Sequence, residues 1–162
     1  MTFYDFEVFA YDWLVVLIDL NAKQETVIIN DPDKLKGFYE SHKETIWAGY
    51  NSRHYDQFIL KGILCGFNPK KVNDWIILDD KPGYRFSSLF RNFPLINYDV
   101  MPNPPISLKA LEAFMGHSIK ETTVPFDIDR PLTEAELAET VKYCRHDVEE
   151  TCLLYTSDAA DE

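Results

Sequence analysis

The feature that most constrains this chain is a pair of acidic residues, Asp5 and Glu7, inside an apolar run beside the amino terminus. The run, residues 2–9, alternates and is rich in aromatic and β-branched side chains, which predicts a β-strand. Successive strand side chains point to opposite faces, so Asp5 and Glu7 share one face while Phe6 points into the core. The two carboxylates repel each other, and a divalent cation would relieve that repulsion. The alternative is an exposed strand edge with two ordinary surface acids.

The composition is that of a packed globular protein. The 162 residues suffice for one domain with a core, and 46% of them are hydrophobic. The longest apolar run, residues 13–18, is far shorter than the roughly 20 residues of a membrane span, so we expect no membrane association. The cysteines lack C-x-x-C spacing, which predicts reduced thiols and a cytoplasmic location. These cysteines are Cys65, Cys144 and Cys152.

The charge balance restricts the partners of the chain. A net charge of −11 argues against a broad nucleic-acid-binding surface, which is usually basic. A domain that holds only the end of a strand remains compatible with this charge. Cations bound at a cluster of acids would offset part of it.

The order of predicted elements indicates an α/β domain with one mixed sheet covered by helices. Strands are expected at residues 2–9, 12–20, 26–29, 46–50 and 95–101. Helices are expected after Asp31-Pro32, over residues 54–64, after Ser107, and after the capping box at residues 133–136. The first three strands form an antiparallel meander. Residues 67–105, interrupted by six prolines, are the least readable part of the sequence.

Two further acidic positions accompany the first pair. Asp56 falls in the first turn of a helix that follows a strand, where an acid also has the simple role of complementing the helix dipole. Tyr143 and Asp147 are four residues apart, which places them on one face of the last helix. Each of these features alone is common on ordinary protein surfaces.

Taken together, the ordered motifs D-x-E, N-x4-D and Y-x3-D resemble the DEDD superfamily of 3′–5′ exonucleases, in the branch with a tyrosine in the third motif. The stretch at residues 50–56 is similar to the proofreading domains of family-B DNA polymerases. The short distance between the first two motifs is closer to the compact phage members. The resemblance covers residues 2–151, and no motif position departs from the pattern. It implies an RNase H-like fold, with an antiparallel meander plus parallel strands.

The resemblance also implies a role for each acid. Asp5 would bridge two divalent cations, Mg²⁺ or Mn²⁺, with Glu7 and Asp147 completing the shell of the first. Asp56 would hold the second cation, and Tyr143 would orient the attacking water. The chemistry is consistent with this, because two cations about 3.5–4 Å apart activate a nucleophile and stabilise the leaving oxygen of a phosphodiester. Carboxylates are the ligands that these hard cations prefer.

The substrate-binding residues follow from the same resemblance. Asn51 would help to place the terminal nucleotide of a single-stranded DNA 3′ end, with RNA as a possible substrate. Phe6 and Tyr55 are candidates to stack on its base, with core packing an equal alternative. His146 resembles the catalytic histidine of the other branch of the superfamily, but beside Tyr143 it is expected to be a neighbour only.

Two other residues near the motifs are expected to have structural roles. Asp99, on the fifth strand, is expected to belong to a turn or the surface, with a fifth acid of the site as the alternative. Cys144 is expected to be a small core residue, because no histidine is positioned to activate it as a nucleophile.

The last eleven residues, 152–162, resemble the in-frame translation of a sequencing-library adapter. An ordinary polar terminus is the alternative. We therefore divide the chain into an exonuclease domain, residues 1–151, and a non-native tail, residues 152–162. We expect the natural protein to continue into a polymerase region.

The sequence thus predicts a two-metal 3′–5′ exonuclease acting on DNA 3′ ends, as the proofreading domain of a phage-type DNA polymerase in the host cytoplasm. One alternative is a free-standing DNA or RNA exonuclease of the same family. Another is an inactive RNase H-like module that binds nucleic acid. A third, an unrelated α/β protein with scattered surface acids, requires the motif acids to lie apart in space.

Overall fold

Five strands form one mixed sheet in the computed structural model, which describes residues 1–161. An antiparallel meander comes first, made of β1 (Thr2–Val8), β2 (Trp13–Asp19) and β3 (Gln24–Ile29). β4 (Ile46–Gly49) pairs in parallel with β1, and β5 (Ile96–Asp99) in parallel with β4. The strand order is therefore β3-β2-β1-β4-β5. This arrangement confirms the predicted α/β fold with an RNase H-like mixed sheet.

Five α-helices connect and cover these strands within the described residues. They are α1 (Pro32–His42), α2 (Asp56–Leu64), α3 (Pro69–Ile77), α4 (Leu108–Phe114) and α5 (Glu134–Asp161). Two short 3₁₀ helices, Gly83–Arg85 and Ser88–Asn92, lie between α3 and β5. Among residues 1–161, no helix combines the length and apolar character needed to cross a membrane.

The start of α5 follows from its capping box. The backbone N–H of Thr133 donates to Glu136 Oε1 at 2.9 Å, and the Glu136 N–H donates to Thr133 Oγ1 at 3.1 Å. This reciprocal pair satisfies two N–H groups that the first turn of a helix leaves without intrahelical partners. The predicted cap of the last helix is therefore confirmed.

α3 lies in the stretch of the sequence that is hardest to read, although its start carries a helix signal. Asn68 caps the helix by accepting a hydrogen bond from the Lys70 N–H at 2.9 Å, and Pro69 occupies its first position. This is the same arrangement as Asp31-Pro32 at the start of α1. Pro69 is one of the six prolines that make this part of the sequence hard to read, but at the first position of a helix proline is compatible with helical structure.

The two faces of β1 belong to two different cores. Tyr4, Phe6 and Val8 pack with side chains of α1 and α2, which confirms the core position predicted for Phe6. On the opposite face, Phe3 packs with Cys144 and Val148 of α5. Because Asp5 and Glu7 alternate with Phe6, both lie on the face that α5 covers.

The last helix includes most of the segment that we interpret as an adapter. α5 continues without a break to Asp161. Leu154 is buried, and the ring of Tyr155 packs against Phe3 with 5.5 Å between ring centroids. Residues 152–161 therefore extend the helix of the domain, and the non-native origin of the segment stays a prediction.

A buried aspartate, Asp12, ties the meander to the start of α5. Its Oδ2 accepts a hydrogen bond from the backbone N–H of Leu132 at 2.8 Å, and its Oδ1 accepts one from Asn30 Nδ2 at 2.7 Å. Leu132 lies 120 residues further along the chain. The contact therefore fixes where α5 begins to cross the sheet.

Replacing Asp12 by alanine would leave the buried N–H of Leu132 without an acceptor. We expect the free energy of unfolding to fall by about 1–3 kcal/mol, the usual penalty for such a group. Urea denaturation of the wild type and the variant measures this loss. The control is Asp33→Ala, an exposed acid of α1, which should cost under about 0.5 kcal/mol. Equal losses in the two variants would contradict the anchoring role of Asp12.

Candidate active site

A tight turn after β4 brings α2 close to β1. A Cβ at Gly49 would lie 2.8 Å from Ser52 Cβ and 3.1 Å from the carbonyl oxygen of Tyr4, so the turn has room only for glycine. Asn51 adopts a positive φ of 59°, which asparagine tolerates better than most residues. The chain then enters α2 at Asp56, next to the first strand.

Asp99, at the end of β5, holds this turn in place. Its carboxylate accepts hydrogen bonds from the backbone N–H groups of Asn51, Arg53 and Met101, at 2.9, 3.0 and 3.0 Å. A carboxylate that accepts three backbone donors stabilises the loop conformation. The prediction that Asp99 serves a turn is confirmed.

Asp56 connects the second motif to the first. It is 2% exposed, and its Oδ1 accepts a hydrogen bond from the backbone N–H of Phe6 at 2.9 Å. Phe6 lies between Asp5 and Glu7, so Asp56 contacts the strand at the centre of the first motif. Burial, followed by the charge of Asp5, raises the pKa of Asp56 well above its ordinary range.

The third motif reaches the same place through the packing of α5. Cys144 is fully buried, and its Sγ lies 3.2 Å from the carbonyl oxygen of Asp5 and 3.4 Å from Asp5 Oδ2. The expected core role of Cys144 is thus confirmed, and the residue also touches the site. Tyr143 and Asp147 flank it on the helix. Burial raises the pKa of both Asp5 and Glu7, and the charge of Asp147 adds to the increase.

The structure therefore brings the three motifs together. Ligand atoms of Asp5, Glu7 and Cys144 all lie within 4.8 Å of one another. Asp56 and Asp147 border this group, each with an oxygen already engaged, by the Phe6 N–H and by Lys109 respectively. Burial raises the pKa of the Tyr143 phenol, and the charges of Asp147, Glu7 and Asp5 add to the increase. These residues lie close enough for the charge of one to raise the pKa of another, which acids scattered over a surface would not do.

Lys109 of α4 is a site residue that the sequence analysis did not identify. Its Nζ lies 2.7 Å from Asp147 Oδ1 and 4.8 Å from the centroid of the Tyr143 ring. Burial raises the pKa of Asp147, and the hydrogen bond from Lys109 opposes that increase. No pattern in the sequence places α4 beside α5, because a proline-rich loop precedes α4 and a long loop follows it.

Burial shifts the acids of the site toward their protonated forms when no cation is bound. Burial raises the pKa of Glu7 from its ordinary 4.5 to about 8, and the charges of Asp147 and Asp56 contribute. Burial, together with the charge of Glu7, raises the pKa of Asp5 well above its usual range. Because a metal ion binds ionised carboxylates, a cation that enters here displaces these protons.

The predicted substrate-binding residues line one cleft beside Glu7. The cleft has a volume of about 570 Å³, and Asn51, Phe6 and Tyr55 contribute to its walls. The Tyr55 hydroxyl donates a hydrogen bond to Asn73 Oδ1 at 2.5 Å. Phe6 is only 3% exposed, so core packing, the alternative considered for this residue, describes most of its surface.

Comparisons with protein families, curated proteins and solved structures found no match for this chain. The functional assignment therefore depends on the residues of the site and on the resemblance of the three motifs. His146 groups with Glu112 and Glu150 instead of with Asp5 and Glu7, and its Nε2 faces Glu112 at 3.5 Å.

The raised pKa of Glu7 makes the cation-free protein less stable as pH increases. The folded protein keeps this proton up to about pH 8, whereas the unfolded chain releases it near pH 4.5. The stabilisation is therefore complete below pH 4.5 and is lost as pH rises to about 8. Asp5 and Asp56 act with the same sign.

We expect the free energy of unfolding, measured in EDTA, to fall by up to about 4 kcal/mol between about pH 5 and 8, at about 1.4 kcal/mol per pKa unit. Glu7→Gln replaces the titrating group by a neutral one of the same shape and should reduce the slope, leaving the part that Asp5 and Asp56 contribute. Glu149→Gln, at an exposed position of α5, should preserve it. The interpretation fails if Glu7→Gln retains the wild-type slope.

Proposed function

We propose that this chain is a metal-dependent 3′–5′ exonuclease domain that hydrolyses nucleotides from DNA 3′ ends. The observation that carries the proposal is the convergence of four acids from three distant segments: Asp5 and Glu7 on β1, Asp56 on α2 and Asp147 on α5. Mutual repulsion and burial make such a cluster unfavourable by itself. A cluster of this kind is typical of a site that binds cations.

The donor set fits hard divalent cations such as Mg²⁺ or Mn²⁺. The four acids supply oxygen ligands, and the sulfur of Cys144 packs against the Asp5 carbonyl. Asp5 and Glu7 would form the closest pair of ligands, with Asp56 and Asp147 on either side. When bound, two such cations would activate a water molecule and stabilise the leaving oxygen of the phosphodiester.

Tyr143 would orient water at the site, and Lys109 would offset part of its negative charge. The pKa of Tyr143 is raised, so its phenol stays protonated at neutral pH and would orient water as a hydrogen-bond donor. Lys109 offsets the charge of Asp147 through its 2.7 Å contact in the cation-free protein.

The cleft beside Glu7 offers a place for the terminal nucleotide. Its volume of about 570 Å³ falls within the range usual for small-molecule sites. Asn51 at its wall would contact the nucleotide, and Tyr55, with the small part of Phe6 that lines the cleft, would face the base. A single-stranded 3′ end fits the acidic character of the chain better than a long duplex does. The resemblance of the motifs supports a proofreading role, beside a phage-type polymerase region in the host cytoplasm.

The central test is digestion of a 5′-labelled single-stranded oligodeoxynucleotide in Mg²⁺ or Mn²⁺. We expect a ladder of products shortened from the 3′ end. Asp5→Asn and Asp147→Asn should each lower the rate at least ~100-fold, because each removes a cation ligand that supplies several kcal/mol of transition-state stabilisation. Glu149→Gln, an exposed acid on the same helix as Asp147, should keep wild-type activity.

Other results of this digestion would distinguish the alternative functions and substrates. A folded chain that binds the oligonucleotide without cleaving it in either cation would indicate an inactive binding module. Immediate release of a labelled mononucleotide would indicate that cleavage starts from the 5′ end instead. Faster cleavage of the matching oligoribonucleotide would favour RNA as the substrate.

The role of Tyr143 predicts a separate kinetic signature. Tyr143→Phe keeps the ring beside Lys109 but removes the hydroxyl, so kcat should fall about 10- to 100-fold with little change in KM. Steady-state kinetics on the labelled oligonucleotide measure both constants. Tyr11→Phe, at an exposed position, is the matched control. An unchanged kcat in Tyr143→Phe would rule out a positioning role for this hydroxyl.

A further inference from the structure

A second group of metal-ligating side chains lies between α4 and α5. Glu112 of α4 and His146 and Glu150 of α5 each offer one ligand atom, and all three atoms lie within 4.8 Å of one another. His146 Nε2 is 3.5 Å from Glu112 Oε1 and 4.0 Å from Glu150 Oε1. None of these residues is a defining position of the three motifs, although His146 lies between Tyr143 and Asp147. The group contains an imidazole, unlike the four-carboxylate site.

Glu112 is the residue that points to a ligand. It is 1% exposed, and within the described part of the chain neither of its carboxylate oxygens has a hydrogen-bond partner. The same holds for His146 Nε2. Lys109 Nζ lies 3.8 Å from Glu112 Oε2, beyond hydrogen-bond distance, and already donates to Asp147. A buried carboxylate in this situation is unfavourable unless a cation binds it.

The spacing of the three ligand atoms fits a small cation. Zinc–nitrogen and zinc–oxygen bonds of about 2.0–2.1 Å at tetrahedral angles place ligand atoms about 3.3 Å apart. The observed 3.5 and 4.0 Å therefore require only small side-chain rotations. His146 and Glu150 are one turn apart on the same helix, which holds these two ligands in a fixed relation.

A hydrogen bond from outside the group orients Glu150. His117 Nδ1–H donates to Glu150 Oε2 at 2.6 Å, which leaves Oε1 directed toward His146. Hydrogen bonds of this kind fix the orientation of metal ligands in known sites. His117 lies just after α4, so the arrangement joins α4 and the following loop to α5.

We propose that Glu112, His146 and Glu150 bind one zinc ion, with water at the fourth position and His117 orienting Glu150. The mixed imidazole and carboxylate donors suit Zn²⁺ better than Mg²⁺. The ion would fasten the short helix α4 to α5. Because α4 also carries Lys109, the same contact would fix the helix that reaches Asp147. The proposal does not depend on nuclease activity.

Zinc binding to the full chain can be measured by competition with a chromogenic chelator, in excess Mg²⁺ to occupy the carboxylate site. We expect one zinc ion per chain. Glu112→Gln and His146→Gln should each weaken binding at least ~100-fold, and His117→Gln about 10- to 100-fold. Glu149→Gln is the matched control on the same helix and should bind as the wild type does. Asp5→Asn should also keep its zinc, which separates this site from the motif acids.

Two further readouts identify the site and control for folding. The Nε2 resonance of His146 in long-range ¹H–¹⁵N spectra should shift on addition of Zn²⁺, while that of exposed His54 should not. Zinc should raise the Tm of the wild type but not of Glu112→Gln. If the circular dichroism of that variant shows unfolding without zinc, Glu150→Gln takes its place.

Three outcomes would overturn the proposal. They are the absence of saturable zinc binding to the wild type, wild-type affinity in both Glu112→Gln and His146→Gln, and loss of zinc in Asp5→Asn with retention in Glu112→Gln. The last outcome would assign the zinc to the motif acids. A missing nuclease activity would leave the zinc result unaffected.

Discussion

The packing of α5 on one face of β1 is the contact on which the candidate site depends. Cys144 is small enough to let the helix approach the strand, and its sulfur lies against the backbone of Asp5. At that separation, Tyr143 and Asp147 come within electrostatic reach of the acids on β1. A larger side chain at position 144 would separate the helix from the strand and the acids from one another.

The cluster of acids is locally unfavourable, and the rest of the fold compensates for it. Burial and mutual repulsion raise the pKa of Asp5, Glu7 and Asp56, which favours their protonated forms in the protein without cations. Asp99 stabilises the adjoining turn through three backbone hydrogen bonds. Acids whose pKa values are raised in this way are common at functional sites.

Local signals made much of this architecture predictable from the sequence. Period-two alternation located β1 and the shared face of its acids, and the capping box of Thr133 and Glu136 located α5. The sequence did not predict α3, because proline interrupts the interior of a helix but is compatible with its first position, which Pro69 occupies. Lys109 and the Glu112 cluster could not be predicted, because they depend on how α4 meets α5 across long irregular loops. Local sequence patterns do not specify such contacts.

The distance along the chain between Asp5 and Asp147 has a consequence for assembly. The two residues lie near opposite ends of the described chain, and the Asp12–Leu132 contact spans 120 residues as well. Contacts between residues so far apart close long loops, which costs chain entropy and slows folding. The site is therefore complete only when nearly the entire chain is folded. A partly synthesised or partly unfolded molecule would present isolated acids, and the proposed activity would coincide with the finished fold.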